Sequence, residues 1–233
     1  MKRSVTRLHA LLVALVAMTA IAGTAHAAFR APQVSVLGGS LQFFFNGIGE
    51  SINVATQQDA TTSWTHTSSS TTGYTILIES SGNAASNAIG LYNGSDASPT
   101  LFNLLTGAAD DYSFATATFQ PGGQLTVNRF DSNALPIGSS VYAGVDPTGF
   151  GFYIQGPGGT FYTQDARNPG GKAQALAFKG TGGNAGTWFL CFEDAAVNGS
   201  SDQDYDDAVI LMESVNTTPV QKTTWGQLKS RMR

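Results

Sequence analysis

The 233-residue chain has a single cysteine, Cys191, so no internal disulfide can brace it. It has three histidines, and two of them (His9 and His26) fall in its first 27 residues, which leaves His66 for the rest. With so few imidazoles and thiols, zinc and copper lack their usual ligands. Charged residues make up only 12% of the sequence. No stretch reaches the ~20 consecutive apolar residues that a spanning helix needs. Helical periodicity is nearly absent before the last dozen residues, which argues against an α-helical or α/β domain.

The amino terminus carries its own signals. Lys2, Arg3 and Arg7 precede an apolar stretch, Leu11 to Ala22, that is short for a membrane span, and Ala25-His26-Ala27 supplies small residues at a peptidase site. The pattern predicts an export signal cleaved after Ala27, leaving a secreted chain in an extracellular or periplasmic compartment with no membrane span. Losing Lys2, Arg3 and Arg7 from 12 basic residues leaves 9 against 16 acidic ones, a formal charge of −7. Such a balance argues against nucleic acid and anionic membranes as partners and suits cations.

Gly, Ser, Thr and Asn are abundant, and short apolar or alternating runs recur between turn signals such as Asn93-Gly94, Pro121-Gly122-Gly123, Gly156-Pro157-Gly158-Gly159 and Asn168-Pro169-Gly170-Gly171. Strands are expected near 33–36, 40–45, 74–79, 88–92, 112–119, 124–130, 141–145, 150–155, 159–162, 173–178, 188–193 and 207–215. Many short strands of this kind predict an all-β domain, a jelly-roll-like β-sandwich, over residues 28–215. Residues 55–73 read as a polar connection with His66 at the surface. Residues 216–221 read as a linker before a basic helical tail, 223–233. Cys191, within Trp188-Phe189-Leu190-Cys191-Phe192, reads as a small buried hydrophobe.

One stretch is chemically loaded. Six of the 16 carboxylates fall between positions 193 and 207: Glu193, Asp194, Asp202, Asp204, Asp206 and Asp207. They crowd the connection between two expected strands. Each like-charge pair a few ångströms apart costs on the order of 1–4 kcal/mol, so a bound cation would relieve them. Calcium fits, because it accepts six to eight oxygen ligands in loose geometry, whereas magnesium demands a tight octahedron. The spacing resembles an EF-hand with Asp202, Asp204 and Asp206 at positions 1, 3 and 5. That reading fails at position 6, where Asp207 replaces the required glycine, and at position 12, where an apolar strand carries Glu213 away. The expected ligand row is Asp202, Asp204 and Asp206, closed by Glu193 or Asp194.

The segments FYTQDARNPGGKAQALAF (161–178), WFLCFED (188–194) and SDQDYDDAVI (201–210) resemble a secreted bacterial domain family of unknown function, whose pattern runs FYxEDxxN…HxLAF…LLAFEDL…GDxDYNDxVF. Members occur in exported and adhesin-like proteins, often ahead of a PEP-CTERM sorting tail, which is absent here. The likeness extends over about residues 85–215. It implies a β-sandwich, a cell-surface or extracellular location, and calcium held by Glu193, Asp194, Asp202, Asp204, Asp206 and Asp207. Departures are Asp206 for the usual Asn, Gln174 for His and Gln164 for Glu, while Asp165 is kept.

Catalysis is not expected. A Ser/His/Asp triad would have to use His66, which has no nucleophile elbow around it. A glycosidase built on Glu193 and Asp194 would need one raised and one ordinary carboxyl rather than six crowded ones. The expected role is a calcium-binding module, structural or adhesive. The alternative is a calcium-dependent, lectin-like module, with extracellular glycans or surface proteins as partners and Trp64, Tyr153 or Tyr162 as contact aromatics.

Overall fold

The computed structural model describes residues 39–66, 71–80, 82–106, 111–197, 199 and 201–217. The expected signal segment, the strand at 33–36 and the basic helical tail lie outside them. Among the described residues the protein is a sandwich of two antiparallel sheets. A seven-stranded sheet runs β10-β11-β12-β2-β5-β6-β7. Its strands are β2 (Thr71–Ile78), β5 (Phe114–Gln120), β6 (Gln124–Phe130), β7 (Pro136–Tyr142), β10 (Ala175–Lys179), β11 (Trp188–Phe192) and β12 (Ala208–Glu213). The facing sheet runs β13-β1-β8-β3-β4, with β9 also paired to β8. It comprises β1 (Trp64–Thr65), β3 (Ala88–Asn93), β4 (Leu101–Leu105), β8 (Phe150–Gly156), β9 (Gly159–Tyr162) and β13 (Asn216–Thr217).

Alternation along the strands builds the core between the sheets. Tyr74 and Ile76 of β2, Ala115 and Ala117 of β5, Phe150, Phe152 and Ile154 of β8, and Trp188, Leu190 and Phe192 of β11 all point into it. Trp64 meets Phe152 edge-on, ring centroids 5.1 Å apart. A continuous apolar run such as WFLCF cannot come from a strand with one wet face. It is explained by a second core. Phe189 and Cys191 of β11, Leu176 and Phe178 of β10, and Val209 of β12 point to the outer face, where they meet Leu41, Phe45, Ile52 and Val54. Burial pushes the Cys191 thiol well above its ordinary pKa, consistent with an inert hydrophobe.

The outer layer corrects one expectation. Ser40–Phe45 forms no strand. Ser40–Gly47 is a helix, α1. A strand would have aligned Leu41, Phe43 and Phe45 on one face. The helix buries Leu41 and Phe45, one turn apart, and leaves Phe43 79% exposed. Phe45 packs edge-on against Phe178 and Phe189, at 5.4 and 5.1 Å. Three further corrections are local. The strand expected at 141–145 lies earlier, as β7, an edge strand that tolerates Pro136 at its start. His66 is buried and stacks on Phe119 at 4.5 Å instead of facing solvent. Asn216–Thr217, expected to begin a linker, pairs with β1.

Candidate metal centre

The acidic residues sit where β11 ends and β12 begins. These strands pair from Trp188↔Met212 to Phe192↔Ala208, so Glu193 and Asp207 leave the sheet side by side. Between them the chain curls through two left-handed residues, Gln203 (φ 63°) and Tyr205 (φ 59°), which alternate with Asp202, Asp204 and Asp206. Non-glycine residues adopt this conformation at a cost, so something must hold them. Tyr205 is fully buried in the outer core, and its hydroxyl donates to Ala173 O at 2.9 Å. Its backbone N–H donates to Glu193 Oε1 at 2.6 Å. Tyr205, between the second and third carboxylates of the D-x-D-x-D row, is thus the anchor of the curl.

Glu193, Asp202 and Asp204 each place a carboxylate oxygen within 4.8 Å of the others. Glu193 is buried, Asp204 half-buried and Asp202 exposed, so the cluster opens to solvent on one side. Glu193 also accepts a short hydrogen bond from Ser201 Oγ. Asp204 Oδ2 accepts from Ser40 Oγ at 3.1 Å, which ties the row to the first turn of α1. Asp202 makes no side-chain hydrogen bond among the described residues.

The other three expected ligands hold different partners. Asp207 Oδ2 accepts from the Asp194 backbone N–H at 2.9 Å. Asp194 is buried and accepts from Asn87 Nδ2 at 2.9 Å and Asn83 Nδ2 at 3.3 Å. Ser80 Oγ lies 3.0 Å from both the carbonyl and Oδ1 of Asp206. The structure therefore brings together Glu193, Asp202 and Asp204, and sets Asp194, Asp206 and Asp207 as a flank against the start of β3 and the end of β2.

That flank contains a carboxylate the sequence reading did not include. Glu79 follows β2, which pairs with β12, and is pushed up to about 7 by burial, by Asp111 and by Asp194 against a hydrogen bond from Asn87. Burial, with the charges of Asp207 and Asp202, raises Glu193 to about 7 despite its bonds from Ser201 and Tyr205. Asp207 rises to about 7 for the same first reason, with Asp194, Asp202 and Asp204 adding to it. Asp204 is raised by burial and by Asp206. Desolvation and like charge thus act in the same direction across the loop.

Two close approaches brace the site. A Cβ on Gly158 would lie 2.1 Å from the backbone Asp194 O, so that position fits only glycine, and one on Gly156 would lie 2.1 Å from Asn87 Oδ1 and push that side chain aside. Gln174, where the family pattern has His, donates to Ala195 O at 2.8 Å and accepts from Val197 N at 2.6 Å, fixing the chain just after the acidic pair.

The donor set is all oxygen and offers three carboxylates to a small space, which fits a hard cation. His66 is remote in the core beside Phe119. Of the aromatics considered as ligand contacts, Trp64 and Tyr153 are buried, and only Tyr162 reaches the surface.

No known protein family matches the chain by sequence profile, and no curated protein matches it by sequence. The likeness to the secreted domain family therefore rests on the quoted residues alone. Among solved structures, the C-terminal domain of BC2L-C lectin from Burkholderia cenocepacia is similar over 66% of this chain and 95% of its own, at 14% identity and a TM-score of 0.30. So distant a likeness decides nothing about function.

Proposed function

We propose that this protein is an exported, non-catalytic module that binds calcium in the loop between β11 and β12, and that the ion serves a structural or adhesive role outside the cytoplasm. The observation that carries the reading is the convergence of Glu193, Asp202 and Asp204 oxygens within 4.8 Å. Calcium bound there would offset the repulsion among them and compete with the proton on Glu193, whose carboxyl burial raises to about 7. Glu193 would contribute from inside, where its carboxylate is already oriented by Tyr205 N–H and Ser201 Oγ, and Asp202 and Asp204 from the solvent side. Water would complete the shell. A catalytic reading is less well supported. The converging carboxylate oxygens lie within 4.8 Å of one another, closer than the ~5 Å or more between the two carboxyls of a glycosidase.

The test is calorimetric titration of the metal-free mature protein with calcium and magnesium. The expected result is one site of higher affinity for calcium. Absence of heat and of any thermal shift at millimolar calcium would remove the reading.

A further inference from the structure

The outer face of the smaller sheet leads away from the acidic loop to a second candidate site. Tyr92 lies over Gly151, where a Cβ would come within 2.4 Å of its ring, and it meets Tyr162 edge-on at 5.1 Å. Arg167 closes this stack, its guanidinium 5.1 Å from the Tyr92 ring centre and 6.0 Å from that of Tyr162. Three acceptors fix it. Nη2 donates to Gly94 O at 3.0 Å and to Asp96 O at 2.6 Å, and Nε donates to Gln164 Oε1. Nη1 has no hydrogen-bond partner among the described residues.

Two adjoining surface cavities share Arg167 and the exposed Ala166. One, of about 580 Å³, lies between Ser98–Pro99 and Tyr162. The other, of about 450 Å³, is bordered by Thr62, Gln164 and Asp165. Both fall within the usual size of ligand sites. The lining is mixed: the Tyr162 ring with Ala97, Pro99 and Ala166 on the apolar side, and Arg167, Asp165, Gln164 and two hydroxyls on the polar side. An apolar ligand would cover the Arg167 Nη1 donors without pairing them, at a cost.

We propose that this groove binds a neutral hexopyranose saccharide. A sugar's C–H face suits the Tyr162 ring, while its hydroxyls accept from Arg167 Nη1 and donate to Asp165. Arg167 and Asp165 balance each other at the groove, so no excess of positive charge selects an acidic sugar. Asp165 borders the groove, and the chain carries 16 acidic residues against 12 basic ones. Because its other nitrogens are already tied down, Arg167 loses little conformational freedom when a ligand arrives. The site is separate from the cation loop, so it stands or falls independently of calcium.

The test is a microarray of malto-, cello- and galacto-oligosaccharides with oligogalacturonate as the acidic arm, run in calcium and in chelator. Titration of the best neutral binder against wild type, Ala166→Trp and Ser98→Trp then follows. Both variants add bulk at exposed lining positions on separate segments of the chain and remove no hydrogen bond of Arg167. Binding to at least one neutral series, persisting in chelator and falling tenfold or more in both variants at unchanged melting temperature, is expected. Silence of every neutral series, binding of oligogalacturonate alone, or wild-type affinity in both tryptophan variants overturns the proposal.

Discussion

Replacing Asp202 by Asn should change stability in opposite directions with and without calcium. Asp202 is exposed and makes no side-chain hydrogen bond among the described residues, so the amide sacrifices no contact. What it removes is repulsion toward Glu193 and Asp204, whose oxygens lie within 4.8 Å. At that separation one pair costs about 1 kcal/mol in water and about 3.5 kcal/mol at the effective dielectric of a protein surface. Exposure favours the lower figure, so two pairs give roughly 1–2 kcal/mol. For a domain of this size that is a rise of roughly 2–8 °C in melting temperature in chelator. With calcium at a hundredfold excess over its Kd, wild type should gain about 2.7 kcal/mol and melt roughly 5–10 °C higher. The variant, one ligand short, should gain much less and melt below wild type. Differential scanning calorimetry in chelator and in calcium at pH 8, above the Glu193 value of about 7, reads all four values. If Asp202→Asn melts below wild type in chelator, the loop is not held under repulsion, and the central argument for the site is wrong.

Other outcomes follow from the same structure. Glu79, Glu193 and Asp207 are raised to about 7, so the folded state takes up protons that the unfolded state does not. Their contribution is favourable below the ordinary carboxyl pKa and is lost as pH rises toward 7. The metal-free melting temperature should therefore fall between pH 5 and pH 8, the slope should flatten in calcium, and calcium affinity should increase with pH. A flat profile in chelator would refute this. Glu50 has the opposite sign. Burial opposes its charge, but bonds from Thr181 Oγ1, Asn184 Nδ2 and Thr181 N outweigh it and lower its pKa. Its contribution is present at neutral pH and lost on acidification, and Glu50→Gln should cost about 1–3 kcal/mol in a urea melt at pH 7. Phe45→Ala should cost about 3–5 kcal/mol by opening the outer core, and should speed labelling of Cys191 by a thiol reagent. Gly158→Ala forces a contact on Asp194 O and should destabilise by about 1–3 kcal/mol, measurable in the same melt.

The sandwich was legible because strands such as Gln124–Phe130 and Gly159–Tyr162 alternate cleanly and end at turn residues. Ser40–Phe45 misled because six residues of aromatic-rich sequence satisfy both periodicities, and only the position of Leu41 and Phe45 over β10 and β11 selects the helix. β4 lies in a stretch that follows Ser-Pro-Thr, and β7 carries Pro136 and Gly138, residue types that weaken a strand pattern. The ligand row was visible as charge density. Its division into a converging trio and a flank was not, since that depends on Ser80, Asn83 and Asn87, more than 100 residues away in sequence. Glu79 left no local trace. Only the pairing of β2 with β12 carries it to the loop.

Tyr205 gives the loop a property that its charges alone would not. A ligand row with Tyr205 sunk into a hydrophobic layer between its second and third carboxylates cannot be transplanted as a peptide, because the curl survives only while that layer is in place. The layer itself depends on Leu41 and Phe45, about 160 residues earlier in the sequence. A fragment beginning after α1 would keep every carboxylate, both sheets and the whole inner core. It would still lose the foundation under Asp204, and cation affinity should decline before the sandwich does.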